Sequence, residues 1–179
     1  MKKILKLTVI LFVVCAIVAG VLGVINELTK DRIAEQNRLK TEKAYAAVLK
    51  ADSYEAVEFD SAAWPTVDSI SKAGDAGHVV ETTFSGAQGS ITMAVGVDAD
   101  LKVTGISIIK HAETAGLGAV AASTNDKGVA FRAQFVGEDK NVAITKAGGN
   151  IEAISGATIT SRAVAQAAGN AVCAVEALV

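Results

Sequence analysis

The stretch SITMAVGVDADLKVTGISIIK, residues 90–110, has the pattern of two strands joined by a tight turn. In its first half the apolar residues alternate with small or polar ones: Ile91, Met93, Val95 and Val97 against Ser90, Thr92, Ala94 and Gly96. A period of two is typical of a half-buried strand. The segment DADLK supplies turn residues, so Val103 to Ile109 is predicted to return as the second strand of a hairpin.

The flanking segments extend this hairpin into an α+β domain. HVVETTF, residues 78–84, predicts a further strand, whereas residues 51–76, which hold the lone proline Pro65, predict irregular structure. After the hairpin, the sequence predicts a loop (HAETAGLGA, 111–119), a short helix within 120–140 and another strand at 142–145. Phe131 and Phe135 share one face of that helix at i, i+4 spacing.

The last element is an amphipathic helix from Ile159 to Leu178. Its apolar side is formed by Val164, Ala168, Ala171, Val175 and Leu178. Strands grouped in the middle with helices around them predict a central antiparallel sheet with flanking helices. Residues 51–179 are therefore predicted to form one domain.

The amino-terminal part predicts a membrane anchor and a polar helix. Residues 7–25, LTVILFVVCAIVAGVLGVI, are uncharged, and these 19 residues span the hydrocarbon core at roughly 1.5 Å per residue. The run exceeds a secretory signal core, and no cleavage site is evident, so residues 1–26 are predicted to be an uncleaved anchor. Residues 27–50 predict a polar stalk helix, which is either solvated or packed on partner proteins.

The basic residues favour an extracytoplasmic domain. Lys2, Lys3 and Lys6 precede the apolar segment and favour a cytoplasmic amino terminus. More Lys and Arg follow the segment, but long domains translocate largely regardless of charge. The prediction is a single-pass protein of the inner or plasma membrane with its soluble domain outside the cytoplasm.

Charge and cysteine usage exclude several classes of function. The formal net charge is −2 and there is no basic patch, so nucleic acid is not an expected partner. Cys15 and Cys173 are remote from each other and belong to no CxxC motif, and His78 and His111 stand apart. No ligand set for zinc or an iron–sulfur cluster is present, and no metal is expected.

The stretch EAISGATITS, residues 152–161, places four hydroxyl side chains at the start of the last helix. One interpretation is helix capping by serine or threonine. The other is an anion site, because free N–H groups and the helix dipole at a helix amino terminus bind phosphate. The residues alone leave both open, and capping remains the interpretation for Thr160 and Ser161.

Two motifs resemble the FMN-binding domain family, found in the G subunit of Rnf-type ion-translocating oxidoreductases and the C subunit of sodium-translocating NADH:quinone reductases. EAISGATITS resembles its flavinylation motif, with Glu152 where the family usually has Asp. HAETAGLG resembles its His-x-Glu-Thr-Pro-Gly-Leu-Gly loop, with Ala115 in place of proline. Residues 131–137, F..QFVG, continue the match.

The resemblance implies FMN bound covalently through a phosphoester to Thr158, attached by a flavin transferase that uses FAD. It implies further cofactor-binding residues: Ser155, Gly156 and Ala157 at the helix, and Glu113, Thr114, Gly116, Leu117 and Gly118 in the loop. The expected mechanism is electron transfer without catalytic side chains. Three other residues are more simply explained without the flavin. Trp64 is expected to be a core residue, Lys146 a solvated residue and His111 a surface or core histidine.

The function implied is an electron-relaying subunit of an Rnf-type ferredoxin:NAD ion-translocating complex, with the other membrane subunits as partners. No independent catalysis is expected of it. Two alternatives stay open: the C subunit of a sodium-translocating NADH:quinone reductase, and a non-enzymatic membrane-anchored binding domain. The short soluble part favours the G subunit over the C subunit.

Overall fold

A computed structural model describes residues 2–178 of the chain. Its helices are α1 (Lys2–Val48), α2 (Asp126–Ala133) and α3 (Thr158–Glu176), and its strands are β1 (Glu55–Val57), β2 (Val67–Lys72), β3 (His78–Ser85), β4 (Ser90–Val97) and β5 (Val103–His111). Short 3-10 helices cover Gly118–Ala122 and Thr145–Ala147. The chain divides into two compact units, Met1–Lys40 and Thr41–Val179.

The first unit is helical and apolar over most of its length. α1 is the one helix among residues 2–178 that is long and apolar enough to cross a membrane. Its apolar side chains between Ile4 and Ile25 are exposed. Beyond them Leu28 and Ile33 are also exposed, at 74% and 53% of their surface, among charged neighbours.

The second unit is built on a five-stranded antiparallel sheet in the order β1-β2-β3-β4-β5. Each strand pairs with the next along the chain, so short connections suffice. The hairpin of β4 and β5 has the predicted pairing, with Gly96 opposite Gly105 and Val95 opposite Ile106. The α+β prediction is confirmed.

One face of the sheet packs against α3. Buried Val80, Met93 and Val95 from the strands meet Val164 and Ala168 of the helix in the main core. The many alanines of α3 lack bulk, which lets the helix lie close to the sheet. The apolar stripe predicted for this helix is buried except for Leu178, which is 36% exposed and was wrongly assigned to it.

The other face of the sheet is covered by the last turns of α1. Tyr45 and Val48 are buried against Val79 and Ala94 in a second core cluster. The Tyr45 hydroxyl donates to Glu81 Oε2 at 3.1 Å. The prediction of a half-buried β4 was therefore wrong for most of the strand, because this helix covers the face that its small residues occupy.

Two further predictions fail locally. Residues 51–76 are not irregular throughout, since they contain β1 and β2. Residues 142–145 form no strand, and Ile144 makes only an isolated parallel bridge with Ile151. In both segments the strand pairing involves only a few residues. Neither segment therefore has the long alternating pattern from which a strand can be predicted.

Candidate functional site

A groove of about 290 Å³ lies where three segments of the domain meet. They are the turn between β3 and β4, the loop after β5 and the amino terminus of α3. The residues that line it are Ala87, Gln88, Glu113, Thr114, Leu117, Gly118, Gly156, Ala157, Thr158, Ile159 and Thr160. The two sequence motifs, remote in the chain, thus form one site.

The amino terminus of α3 presents unpaired backbone donors to this groove. Helix α3 begins at Thr158, and its N-cap residue, Ala157, has no side-chain acceptor. The first intrahelical bond is donated by Ser161 N to Ala157 O at 2.9 Å. The amides of residues 158–160 therefore have no hydrogen-bond partner within residues 2–178. Together with the helix dipole, these donors favour an anion.

Gly156 supplies the turn that leads into the helix. Its φ of +77° lies in the left-handed region, which favours glycine. A Cβ at this position would also approach the side chain of Leu117 to 2.9 Å. The glycine of the motif is thus required by the local backbone and by the loop packed beside it.

The four hydroxyls of the motif have different surroundings. Thr160 is buried and donates to Glu113 Oε2 at 2.5 Å. Ser161 is buried, accepts from Ile154 N and donates to Ala157 O, each at 3.0 Å. Ser155 is exposed, and the half-buried Thr158 hydroxyl makes no hydrogen bond to any residue between 2 and 178.

Capping does not explain Thr160 or Ser161, so that interpretation was wrong. The N-cap position is Ala157, and neither hydroxyl accepts a hydrogen bond from an amide of the first helical turn. Thr160 instead donates to Glu113 Oε2. Ser161 donates to the carbonyl of the N-cap residue, Ala157, and accepts from Ile154 N, which precedes the helix. Among the hydroxyls of the motif that line the groove, Thr158 is the one without a hydrogen bond to residues 2–178.

Glu113 is buried at the centre of the site, with 8% of its surface exposed. Its Oε1 accepts from the backbone amides of Ala87 and Gln88 at 2.9 and 3.0 Å, and its Oε2 accepts from Thr160. Burial alone would raise the pKa of this carboxyl. The hydrogen bonds from Gln88, Thr160 and Ala87 outweigh burial and lower the pKa below its ordinary value.

Most of the predicted site residues line the groove, with two exceptions. Ser155 and Gly116 are exposed and are not among the lining residues. Trp64 packs at the edge of the core, and Lys146 is exposed, so neither belongs to the groove. His111 is also exposed, and its Nδ1 accepts from Glu113 N at 3.3 Å.

The sequence interpretation missed four lining residues: Ala87, Gln88, Ile159 and Thr160. The first two lie in the turn GAQG between β3 and β4, and only its glycines marked it as a turn. Their place in the site depends on Glu113, which binds their amides across the sheet end.

Gln134 explains the third matching segment, F..QFVG. Its Oε1 accepts from Glu152 N at 2.7 Å and its Nε2 donates to Glu152 O at 3.3 Å. The amide side chain thus holds the backbone just before the helix motif. The charge of Glu152, by contrast, is exposed and lines no part of the groove.

Relatives match this chain over nearly its whole length. The G subunit of the ion-translocating oxidoreductase complex of Methanosarcina acetivorans is 35% identical, covering 96% of this chain and 94% of the relative. The G subunit of the Na(+)-translocating ferredoxin:NAD(+) oxidoreductase complex of Acetobacterium woodii is also 35% identical, over 91% and 87%. The chain belongs to the G-subunit family of ion-translocating oxidoreductase complexes.

Two family models support this assignment, and each matches a different part of the chain. The RnfG N-terminal region matches residues 1–48, and the FMN-binding domain matches residues 86–173, which include every residue that lines the groove. The match to the RnfG N-terminal region and the apolar helix of the first unit together identify this member of the G-subunit family as a single-pass membrane protein.

The fold of this G-subunit family member has a counterpart among solved structures. The C subunit of the Na(+)-translocating NADH-quinone reductase from Parabacteroides distasonis superposes with a TM-score of 0.51 at 22% identity. The match covers 77% of this chain and 89% of that chain. At this identity the likeness concerns the fold alone.

Proposed function

We propose that this chain is a membrane-anchored electron-transfer subunit that carries FMN on Thr158 through a phosphoester bond. The observation that carries the proposal is the position of the Thr158 hydroxyl. It lies in the groove without a hydrogen-bond partner in residues 2–178, beside the three unpaired amides that begin α3. The match of this region to the FMN-binding domain supplies the identity of the ligand.

The donors of the groove fit a phosphodiester better than a free phosphate monoester. The lining residues include no Lys or Arg, and their one ionisable side chain, Glu113, is acidic. A phosphodiester carries one negative charge, which the amides of residues 158–160 and the helix dipole can stabilise. Free FMN carries close to two charges, and nothing in the lining would neutralise the second. A covalent bond therefore compensates for a weak anion site.

The proposed modification uses FAD and a separate flavin transferase. Thr158 Oγ1 attacks the phosphorus atom on the FMN side of the pyrophosphate. The bond from that phosphorus to the bridging oxygen breaks, AMP leaves with this oxygen, and the hydroxyl proton is released. No electron changes hands, and the chain itself supplies only the acceptor and the amides beside it.

The bound FMN would accept and donate electrons, and the residues of the chain would hold it. Leu117 and Ile159, which are 44% and 65% exposed, offer apolar surface for a flavin ring beside the tether. Thr114 lines the same groove with its polar side chain. No side chain is required to act as acid, base or nucleophile after the tether has formed.

The relatives' names support a place in an Rnf-type complex that couples ferredoxin oxidation and NAD reduction to ion movement. The partners proposed are the other membrane subunits of that complex. The domain is proposed to face the extracytoplasmic side, where a covalent tether prevents loss of the flavin. The C subunit of the quinone reductase is the alternative, because it shares the fold.

The test is the intact mass of the full chain purified after co-expression with a flavin transferase. We expect an added FMN on the unsubstituted chain, none on Thr158→Ala, and full addition on Thr145→Ala, an exposed threonine outside the groove. An FMN retained on Thr158→Ala would move the bond elsewhere. An unmodified wild-type chain would contradict the covalent proposal.

A further inference from the structure

The buried carboxylate of Glu113 joins three segments that are remote in sequence. It accepts two amides from the turn between β3 and β4, lies on the loop after β5, and binds Thr160 on the first turn of α3. Glu113 and Thr160 are 47 residues apart. No other side chain that lines the groove forms hydrogen bonds to more than one of these segments, within residues 2–178.

Two glycines leave the space that this carboxylate occupies. A Cβ on Gly118 would approach Glu113 Oε2 to 2.1 Å and Thr160 Oγ1 to 2.7 Å. A Cβ on Gly86 would approach Glu113 Oε1 to 2.4 Å. The carboxylate therefore fits between two backbone surfaces and cannot swing into the groove without losing all three donors.

A direct chemical role for Glu113 and Thr160 does not fit this geometry. A carboxylate that accepts a threonine proton could activate that hydroxyl as a nucleophile. However, only 1% of Thr160 is exposed, so an incoming phosphorus has no approach to its oxygen. The donors also lower the pKa of Glu113, which makes it a weaker base.

We infer that Glu113 is a positioning residue that fixes the first turn of α3, and with it the Thr158 acceptor, through its hydrogen bond with Thr160. This inference rests on the proposed function, because it concerns the acceptor of the FMN. It differs from the role implied by family resemblance, in which Glu113 bonds around the flavin ring. Three of the roughly four acceptor positions of the Glu113 carboxylate are already taken by donors of the protein.

The inference predicts that Glu113 and Thr160 act as one unit. Glu113→Gln keeps an oxygen for the two amides, but its Nε2 only donates, so the charge-assisted bond that Thr160 donates is lost and only a neutral bond in the reverse direction can replace it. Thr160→Val removes the same bond from the other side, and Thr160→Ser keeps the hydroxyl. Each of the first two should slow FMN attachment about tenfold, the effect of losing one hydrogen bond to a charged group. The double variant should be no slower than either single variant.

The experiment measures the initial rate of FMN attachment by intact mass, on full chains in detergent micelles with FAD and transferase. Thr160→Ser at the wild-type rate and a double variant equal to the singles support the inference. It is overturned by wild-type rates in both single variants, by Thr160→Ser as slow as Thr160→Val, or by losses that multiply in the double variant.

A second measurement separates this inference from the proposed function. Hydrogen exchange of residues 161–164, the first paired amides of α3, is compared between Thr158→Ala and Thr158→Ala/Glu113→Gln chains, neither of which can carry FMN at Thr158. Faster exchange of these amides in the double variant supports the positioning role, even if the wild-type chain takes up no FMN. Unchanged exchange of these amides overturns it, including in the case where Glu113→Gln slows attachment.

Discussion

The carbonyl oxygen of Val48, the last residue of α1, lies directly over Gly96 of β4. Thr104 Oγ1 donates to this carbonyl at 2.6 Å, and a Cβ on Gly96 would lie 2.7 Å from it and 2.2 Å from Thr104 Oγ1. The end of α1 thus packs on the sheet because Gly96 has no side chain. Gly105, the cross-strand partner of Gly96, would place a Cβ at 3.4 Å from Val48 Cα, which is an ordinary contact.

Gly96→Ala is therefore expected to destabilise the domain, and Gly105→Ala is the matched control. Overpacking of this kind costs about 1–3 kcal/mol, so the midpoint of thermal unfolding should fall by roughly 5 °C or more. Gly105→Ala should leave the midpoint nearly unchanged. Thermal unfolding followed by circular dichroism measures both. Equal midpoints for the two variants would mean that the helix end does not depend on Gly96.

Gly118→Ala is expected to disrupt the groove, because its Cβ would overlap with the Glu113 carboxylate. The variant should unfold at a lower temperature and take up FMN more slowly. Gly118→Ala combined with Glu113→Ala should lose less stability than the sum of the two single losses, since the overlap with the carboxylate is absent and only the approach to Thr160 Oγ1 remains. Strictly additive losses would show that Gly118 contributes independently of Glu113.

Free FMN is expected to bind the Thr158→Ala chain only weakly, because the described residues that line the groove include no Lys or Arg. Titration of this chain with FMN, followed by quenching of flavin fluorescence, should show no saturation in the micromolar range, where binding is worth about 8 kcal/mol. Riboflavin, which lacks the phosphate, is the control ligand. Saturable micromolar binding of FMN but not of riboflavin would contradict a weak anion site.

Glu81→Gln is expected to stabilise the domain at neutral pH. Burial raises the pKa of Glu81, its bond from Tyr45 opposes this, and the charge of Asp68 raises it further, with a net increase above 4.5. Because the pKa of Glu81 is higher in the folded than in the unfolded chain, this carboxyl contributes its full stabilisation of the folded domain below about pH 4.5. That contribution is lost as the pH rises through the pKa of the folded state. Glutamine mimics the protonated form, so its advantage should vanish in acid.

Unfolding midpoints at neutral pH and below 4.5 test this expectation, with Glu58→Gln, an exposed position, as the control. Glu113→Gln should instead lower the unfolding midpoint at neutral pH, and this loss should shrink in acid. The pKa of Glu113 is lowered, so its contribution is present above about 4.5 and is lost as pH falls towards the folded value. A lower midpoint for Glu81→Gln at neutral pH would show that the Glu81 carboxylate is stabilised in its ionised form.

The local elements of this chain could be predicted wherever their patterns were long. The hairpin of β4 and β5, the apolar run of α1 and the stripe of α3 each repeat over many residues. β1, with 3 residues, is too short to show a period, and β2 lies in a segment that the proline made look irregular. The burial of Ala94 and Gly96 depended on the last turns of α1, which no pattern within β4 could reveal.

The sequence by itself determined the anchor, the α+β class, the family and the two motifs of the site, because each of these is recognised from patterns of residues close together in the chain. Only the tertiary structure decided which hydroxyl of the motif lies in the groove without a hydrogen bond. Glu113 reaches Thr160 across 47 residues and leaves Thr158 without a partner in residues 2–178. The physical reason is that hydrogen bonding of a buried side chain depends on its neighbours in space, whereas a periodic pattern records only its neighbours in sequence.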